Sequence, residues 1–465
     1  MATAALVAIA FSPTPLLSKQ EQKRATEAQA AGEYLVASEH MARAAALQPS
    51  QPLLWEQAGR LALAGGDAGK AIEFLERIHQ DLTLEGMLDL GQAYAQSGDL
   101  HAASQAWQAA IDRFGPSVGA LDPLFQAHFR LRDYPGARAA LESLLVLRPE
   151  DAGLHYRLGL LLSAVEPGAA VEHLEEARRL SPELEKQARK LRAEILAAGL
   201  EGDRAYSQLS AGRVLAAMNE WELAAEAFSQ ATQANPGYAE AWAYLGEARQ
   251  HSTQDETQAS TQSGLAEIER ALQLDPNSLA AHLFLSIYWS RQGRYDLAKQ
   301  AISEALRIYP QEAALYAEMG SVLAFNGDLA GAAEVYLQAT ALEPKNDWYQ
   351  RKVVEFSLTY NYQLEALALP AARRALSLSP EAADNLDAMA QVQIRLGQLE
   401  AAMETLERAL QADAENAAAH LHFGYLLMLQ GEAAAALEHF QLAESLAPGS
   451  SVAEQAQRLM EGMLK

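Results

Sequence analysis

The sequence contains no cysteine, which removes disulfides, thiolate zinc sites, iron–sulfur ligation and cysteine nucleophiles from consideration together. It has no run approaching the ~20 apolar residues that cross a bilayer, so direct membrane insertion is not expected. Basic residues are scarce: 36 Lys and Arg stand against 60 Asp and Glu, for a formal charge of -24 over 465 residues. Nucleic acid and anionic membrane surfaces both require a positive face, so neither is expected as a partner. Half of the residues are nevertheless apolar, which is the composition of a chain that builds a core.

What the chain does contain is a period. The segment Ala313–Asn346 reads as an apolar-periodic helix up to Asn326-Gly327-Asp328, then a second helix up to Leu342-Glu343-Pro344. About 34 residues upstream the same grammar returns, with Gly293 at the turn, Ala298 and Ala305 in the second helix and Pro310 at its end. Downstream, Pro344 is matched by Pro380 after a small insertion.

This order of A-helix, turn, B-helix and proline stop resembles the tetratricopeptide repeat family, whose unit is about 34 residues long. Twelve repeats are expected, starting at Ser18, Pro52, Leu84, Val118, Ala152, Ala205, Ala239, Leu279, Ala313, Asp347, Ala383 and Ala417. Position eight should be small, so that helix A can approach its neighbours. It is Gly59, Gly91, Gly159, Gly212, Gly246, Gly320 and Gly424, with Ala25, Ser286 and Ala390 as substitutes and Phe125 and Val354 as departures. Position 20 is alanine in eleven repeats and Gly264 in the twelfth. Trp55, Trp107, Phe228, Trp242, Tyr316, Tyr336 and Phe440 fall where large side chains should fill these holes. Nine of the 17 prolines fall at position 32, where they stop helix B. The resemblance implies an all-α, right-handed superhelical solenoid of antiparallel helix pairs.

The expected organisation has five parts. Residues 1–17 are a short apolar segment, read either as the remnant of an export leader, with Ala8-Ile9-Ala10 as a weak cleavage-like site, or as a cap on repeat one. Residues 18–182 hold repeats one to five, 183–204 an extra helix, 205–450 repeats six to twelve, and 451–465 a capping helix with an apolar stripe. The extra helix is expected as a packing spacer, with a hinge as the alternative. His251–Ser263, with one apolar residue, is expected as an exposed loop. Repeat ten carries two extra residues around Asn361–Leu367, which blurs its register.

Strings that imitate catalytic motifs have better explanations in this frame. Gly115-Pro116-Ser117-Val118-Gly119 matches the nucleophile-elbow pattern but joins two helices, where that motif needs a strand before it. Gly65-Gly66-Asp67-Ala68-Gly69-Lys70 resembles a phosphate loop with the wrong spacing, and it falls at the turn inside repeat two. His155, His282 and His420 all occupy position four, a packing site, and no histidine–carboxylate cluster has metal spacing. No enzyme, cofactor or metal is expected.

In the family that this chain resembles, the A-helices line a concave surface whose positions 2, 5, 9, 12 and 13 face a bound peptide. Those positions carry seven cations here, Lys19, Arg60, Arg130, Arg213, Arg291, Arg351 and Arg395. Eight anions accompany them, Glu56, Glu85, Asp122, Glu240, Glu247, Glu355, Asp384 and Asp387, so the groove is near neutral while the chain is strongly acidic. Leu283, Ile287, Phe325 and Trp348 are expected to form an apolar track beside Arg291 and Arg351. Repeat twelve is apolar at all five positions, Ala418, Leu421, Tyr425, Met428 and Leu429, and the C-terminal helix is expected to cover it. The asparagines that hold a terminal carboxylate in the chaperone-tail-binding members are missing, and the absence of cysteine excludes the four-cysteine metal module of an envelope-assembly relative. The expectation is a protein-interaction scaffold that binds another protein or a peptide segment in its groove. The alternatives are a fixed subunit that makes contact through its edges and convex face, and a peptide-sensing switch. The compartment stays open: cytoplasmic by default, exported or envelope-associated if 1–17 is a leader remnant.

Overall fold

The computed structural model describes residues 14–252 and 264–463. The segment 1–13, most of the expected loop 251–263 and the last two residues therefore lie outside the described residues. Twenty-six α-helices follow one another, and no strand occurs among the described residues. Ten of the twelve expected repeat starts are the first residue of a helix. The other two are displaced, the helices beginning at Thr14 instead of Ser18 and at Arg204 instead of Ala205.

The turn from helix A to helix B has a local cause. Gly66 and Gly98 sit at φ of +80° and +88°, a left-handed conformation that reverses the chain after the A-helix. The aspartate that follows caps helix B: Asp67 accepts from the Lys70 amide and Asp99 from the Ala102 amide, both at 2.9 Å. The phosphate-loop-like string in repeat two is thus a helix cap, and its lysine reaches out to Glu39 at 3.0 Å. The elbow-like string likewise joins two helices, Leu100–Phe114 and Val118–Arg130.

The return from helix B to the next helix A has a device that the sequence reading described only as packing. The ring at position four donates a hydrogen bond to the backbone carbonyl six residues upstream, in the junction before its own helix. His155 reaches Pro149 at 3.1 Å, Trp242 reaches Pro236 at 3.0 Å, His282 reaches Pro276 at 2.9 Å, Tyr316 reaches Pro310 at 3.1 Å and His420 reaches Ala414 at 3.1 Å. These carbonyls lie two residues past the end of the preceding helix, outside its hydrogen-bond ladder, and at these five junctions one polar ring satisfies one of them while its body packs. A carbonyl only accepts, so Nε2 carries the proton in these histidines. Nδ1 of His155 and of His420 is then left to accept from Nδ1–H of His173 and of His439, at 3.1 and 2.9 Å. Burial, with the neighbouring ring adding to it, pushes both His173 and His439 down, away from the charged form.

Helix A and helix B of a repeat meet at position eight. A Cβ on Gly212 would lie 2.5 Å from the ring of Phe228, and one on Gly320 would lie 2.7 Å from that of Tyr336. Repeat ten reverses the sizes: Val354 occupies position eight, and Ala372 stands where other repeats place Phe, Tyr or Trp, both within one core cluster. Its two extra residues are absorbed as a π-helical turn, Leu364–Ala368, leading into the helix Leu369–Leu378.

The chain divides into two compact units, Met1–Asn235 and Pro236–Lys465. In the first, the extra helix Glu185–Gly199 packs against both of its neighbours, Pro167–Leu180 and Arg204–Ala217. Beyond it, helix B of repeat six (Trp221–Ala234) packs on helix A of repeat five (Ala152–Val165) as well as on its own partner. The groove positions Leu160, Ser163 and Ala164 are consequently buried. Burial pushes the Tyr156 phenol on the same helix up to about 12, with the Glu220 carboxylate adding to the effect. In the second unit, Ser451–Met463 packs on repeat twelve: Val452, Leu459, Met460 and Met463 share a cluster with Leu421, Tyr425 and Met428.

Phe228 is fully buried and cannot yield. Gly212→Ala should therefore destabilise the protein by about 1–3 kcal/mol in urea unfolding, although alanine is the better helix former. Shrinking the ring in the double variant Gly212→Ala/Phe228→Leu should recover part of the loss, which a purely local helix effect would not allow.

Candidate interaction groove

The A-helices carry the candidate residues, and most of the cations are engaged across neighbouring repeats. In the first unit, Arg60 lies 2.8 Å from Asp89 and 2.9 Å from Glu85, and so ties helix A of repeat two to helix A of repeat three. Glu56 is buried beside it and accepts from the Thr83 amide and hydroxyl at 3.0 and 2.7 Å. Arg130 and Arg213 are exposed on helix A of repeats four and six. In the second unit, Arg291 donates to both carboxylate oxygens of Glu247 at 2.8 and 3.1 Å and to Gln250 at 2.9 Å. Arg351 donates to Asn385 at 2.8 Å and lies 3.4 Å from Asp347. The near-neutral groove that the sequence count implied is therefore largely a ladder of internal ion pairs.

The structure separates the expected apolar track. Leu283 and Ile287 are partly buried, and Leu283 packs against the core of the unit. Phe325 is 57% exposed and stacks on Tyr295 with ring centroids 6.0 Å apart; Trp348 is 42% exposed, with the Lys352 ammonium 5.2 Å from its ring centroid. Phe325 closes helix A of repeat nine, and Trp348 opens the next A-helix but for one residue. Eleven positions separate them in the repeat frame, or roughly 16 Å along helices running in the same direction. They mark opposite ends of the A-helix face instead of a single patch.

Two adjoining cavities lie further along this face. The larger, of about 360 Å³, is lined by residues of repeats ten to twelve and of the C-terminal helix, among them Leu358, Ile394, Arg395, Leu421, His422 and Arg458. The smaller, of about 300 Å³, is lined by Arg351, Val354, Asp384 and Asp387, and shares Leu358 and Gln391 with the first. His422 bonds Asp387 at 2.7 Å. Burial pushes this imidazole down, but the Asp387 charge and hydrogen bond outweigh it and hold it above its usual range.

Position six of the A-helices lies outside the five positions expected to face a peptide, yet in the second unit it carries titratable side chains. In repeats nine, ten and twelve it holds Glu318, Lys352 and His422. Glu318 is the only charged residue in helix Ala313–Phe325, and a lone charge on an otherwise apolar helix was the available signal. It accepts from the Ser286 hydroxyl at 3.0 Å. It keeps some solvent access, but protein surrounds it, and this desolvation pushes it up to about 7 against the pull of Ser286, Arg291 and Lys352, with Glu247 adding to the rise. For Glu247, burial acts upward as well, but hydrogen bonds from His251 and Arg291 prevail and hold it below the usual carboxylate range. His251 and Arg291 together thus favour the ionised form of one of two nearby carboxylates.

Models of the tetratricopeptide repeat match residues 23–81, 123–185, 209–251, 258–313, 313–346 and 388–451, which together exceed half of the chain. The chain belongs to the tetratricopeptide repeat family. No curated protein matches it. Among solved structures it is similar in fold to yeast Tom70, with a TM-score of 0.46 and 14% identity over 96% of this chain and 95% of that one. It is also similar to the APC/C hetero-tetramer Cut9–Hcn1, at 0.39 and 14% identity over 98% and 99%, and to Pseudomonas aeruginosa PilF, at 0.36 and 19% identity over 49% and 98%. Tetratricopeptide repeat proteins serve as protein-interaction scaffolds, and this chain is a scaffold of that general kind. No group of three or more metal-ligating side chains occurs among the described residues, and no described helix is long and apolar enough to cross a membrane.

A carboxyl raised to about 7 binds its proton more tightly in the folded chain than in the unfolded one, so its stabilising effect is complete below about pH 4.5 and is lost as the pH rises through 7. Glu318→Gln should remove this dependence and raise stability at pH 8 by roughly 2 kcal/mol, with little change at pH 4.5. Chemical denaturation of both proteins at the two pH values checks it.

Proposed function

We propose that this tetratricopeptide repeat chain is a non-catalytic scaffold that captures a segment of another protein along the A-helix face of its second unit. The observation that carries this reading is the pair of adjoining cavities on the A-helices of repeats ten to twelve, the larger walled mainly by apolar side chains and the smaller by charged and polar ones. Phe325 and Trp348 extend the accessible apolar surface on the same face, and exposed aromatics on a rigid scaffold are favoured contact residues. The first unit is the weaker candidate, because its own helix Trp221–Ala234 fills the groove at repeat five. Arg291 and Arg351 serve chiefly to join neighbouring repeats in this reading, so the partner meets the aromatics and the cavities.

Exposed leucines on B-helices, Leu337 and Leu442, give the fixed-subunit reading its own surface. The two readings separate by site-specific photocrosslinking in the source cell. A photoreactive phenylalanine analogue at position 325 or 348 should give a discrete protein adduct, while positions 337 and 442 should stay uncrosslinked. The opposite pattern would overturn groove capture in favour of contact through the outer face.

A further inference from the structure

We propose that the cavity walled by repeats ten to twelve and the C-terminal helix receives an apolar side chain of an acidic peptide segment, with Arg395 and Arg458 holding the carboxylates that flank it. This deepens the groove reading and rests on it.

The apolar part of the argument is the lining. Leu358, Ile394, Leu421 and Leu459 converge on a space of about 360 Å³, enough to admit one leucine or aromatic side chain. The polar part is a charge imbalance. Arg60, Arg291 and Arg351 each face carboxylates of their own chain. Arg395 differs, donating to the neutral Asn361 amide oxygen at 2.9 Å, which leaves its charge uncancelled. Arg458 has Glu454 at 3.7 Å, with both side chains about two-thirds exposed, and such a pair contributes little in water. Asp387, which meets two residues of the wall, is already engaged: one oxygen bonds His422 at 2.7 Å and the other accepts from Gln391 at 3.0 Å. Two guanidiniums thus stand beside an apolar hollow in a chain of net charge -24. Guanidinium pairs carboxylate in a two-pronged geometry, so an acidic segment with one apolar anchor is the complementary partner. The C-terminal helix contributes Gln455, Arg458 and Leu459 to this wall, which makes it part of the binding surface as well as a cap.

The test is fluorescence anisotropy of the full chain with an octapeptide of aspartate and glutamate bearing one central phenylalanine and an N-terminal fluorescein. Arg395→Glu and Arg458→Glu should each weaken binding at least tenfold. Arg307→Glu, the same charge change on an exposed B-helix site, should not. Gln455→Trp, which blocks the cavity without altering charge, should weaken binding as well, as should replacing the peptide's phenylalanine by alanine. Thermal melts should show every variant folded, since the substituted side chains are exposed. Wild-type affinity in Gln455→Trp, equal affinity for the alanine peptide, equal loss in Arg307→Glu, or no binding by the wild type would each overturn the proposal. So would 3-phenylpropionate binding as tightly as the peptide, which would make the cavity a small-molecule site. Crosslinks from positions 325 and 348 would survive any of these results, so failure here leaves the wider groove reading standing.

Discussion

The seating of a large B-helix side chain in the space left by a small A-helix residue is the contact on which the rest of this molecule depends. A two-helix repeat cannot bury its apolar stripe alone, so it must approach its neighbours closely enough for successive stripes to merge into one core. Phe228 over Gly212, Tyr336 over Gly320 and Phe440 over Gly424 set the distance between the two helices of a repeat, and so the shape of the unit that its neighbours stack on. Repeat ten shows that the constraint is on the pair and not on glycine as such: Val354 and Ala372 exchange the large and small roles within the same core.

Once the distance is set, the inner face becomes a row of parallel A-helices a fixed step apart, and charges one repeat apart come within reach. That is why Arg60 finds Asp89 and why Arg291 finds Glu247. The near-neutral groove is therefore mostly a joining device. Charges that face an amide or the solvent, as Arg395 and Arg458 do, are the ones left over for recognition. The same spacing creates the unusual acid Glu318, held between A-helices where one arginine serves two carboxylates.

The extra helix Glu185–Gly199 shows how one insertion changes the use of a repetitive surface. After it, the next helix pair meets repeat five with its B-helix as well as its A-helix, and Leu160, Ser163 and Ala164 on the groove positions of repeat five are buried. In Pro236–Lys465 the A-helix face keeps its cavities, and the C-terminal helix supplies one wall of the larger one.

The period, the small residue at position eight and the glycine–aspartate turns were legible in the sequence, because each depends on contacts within one repeat or between adjacent ones. Ten repeat starts were readable to the residue for that reason. The ring-to-carbonyl bond at position four was half legible: the shared position of His155, His282 and His420 was visible, but its polar partner was not. The groove was less so. Residues one repeat apart meet only after the solenoid is wound, so a count of charges could not tell Arg291, held by Glu247, from Arg395, left facing an amide. Nor could it show that Phe325 and Trp348 stand at opposite ends of their helices, or that Trp221–Ala234 would cover repeat five. The sequence by itself determined the repeat and the helices, since these follow from local periodicity and size. Which charges are cancelled, which apolar faces stay open and where a cavity forms were decided only by the tertiary structure, because each depends on the distance between residues of different repeats.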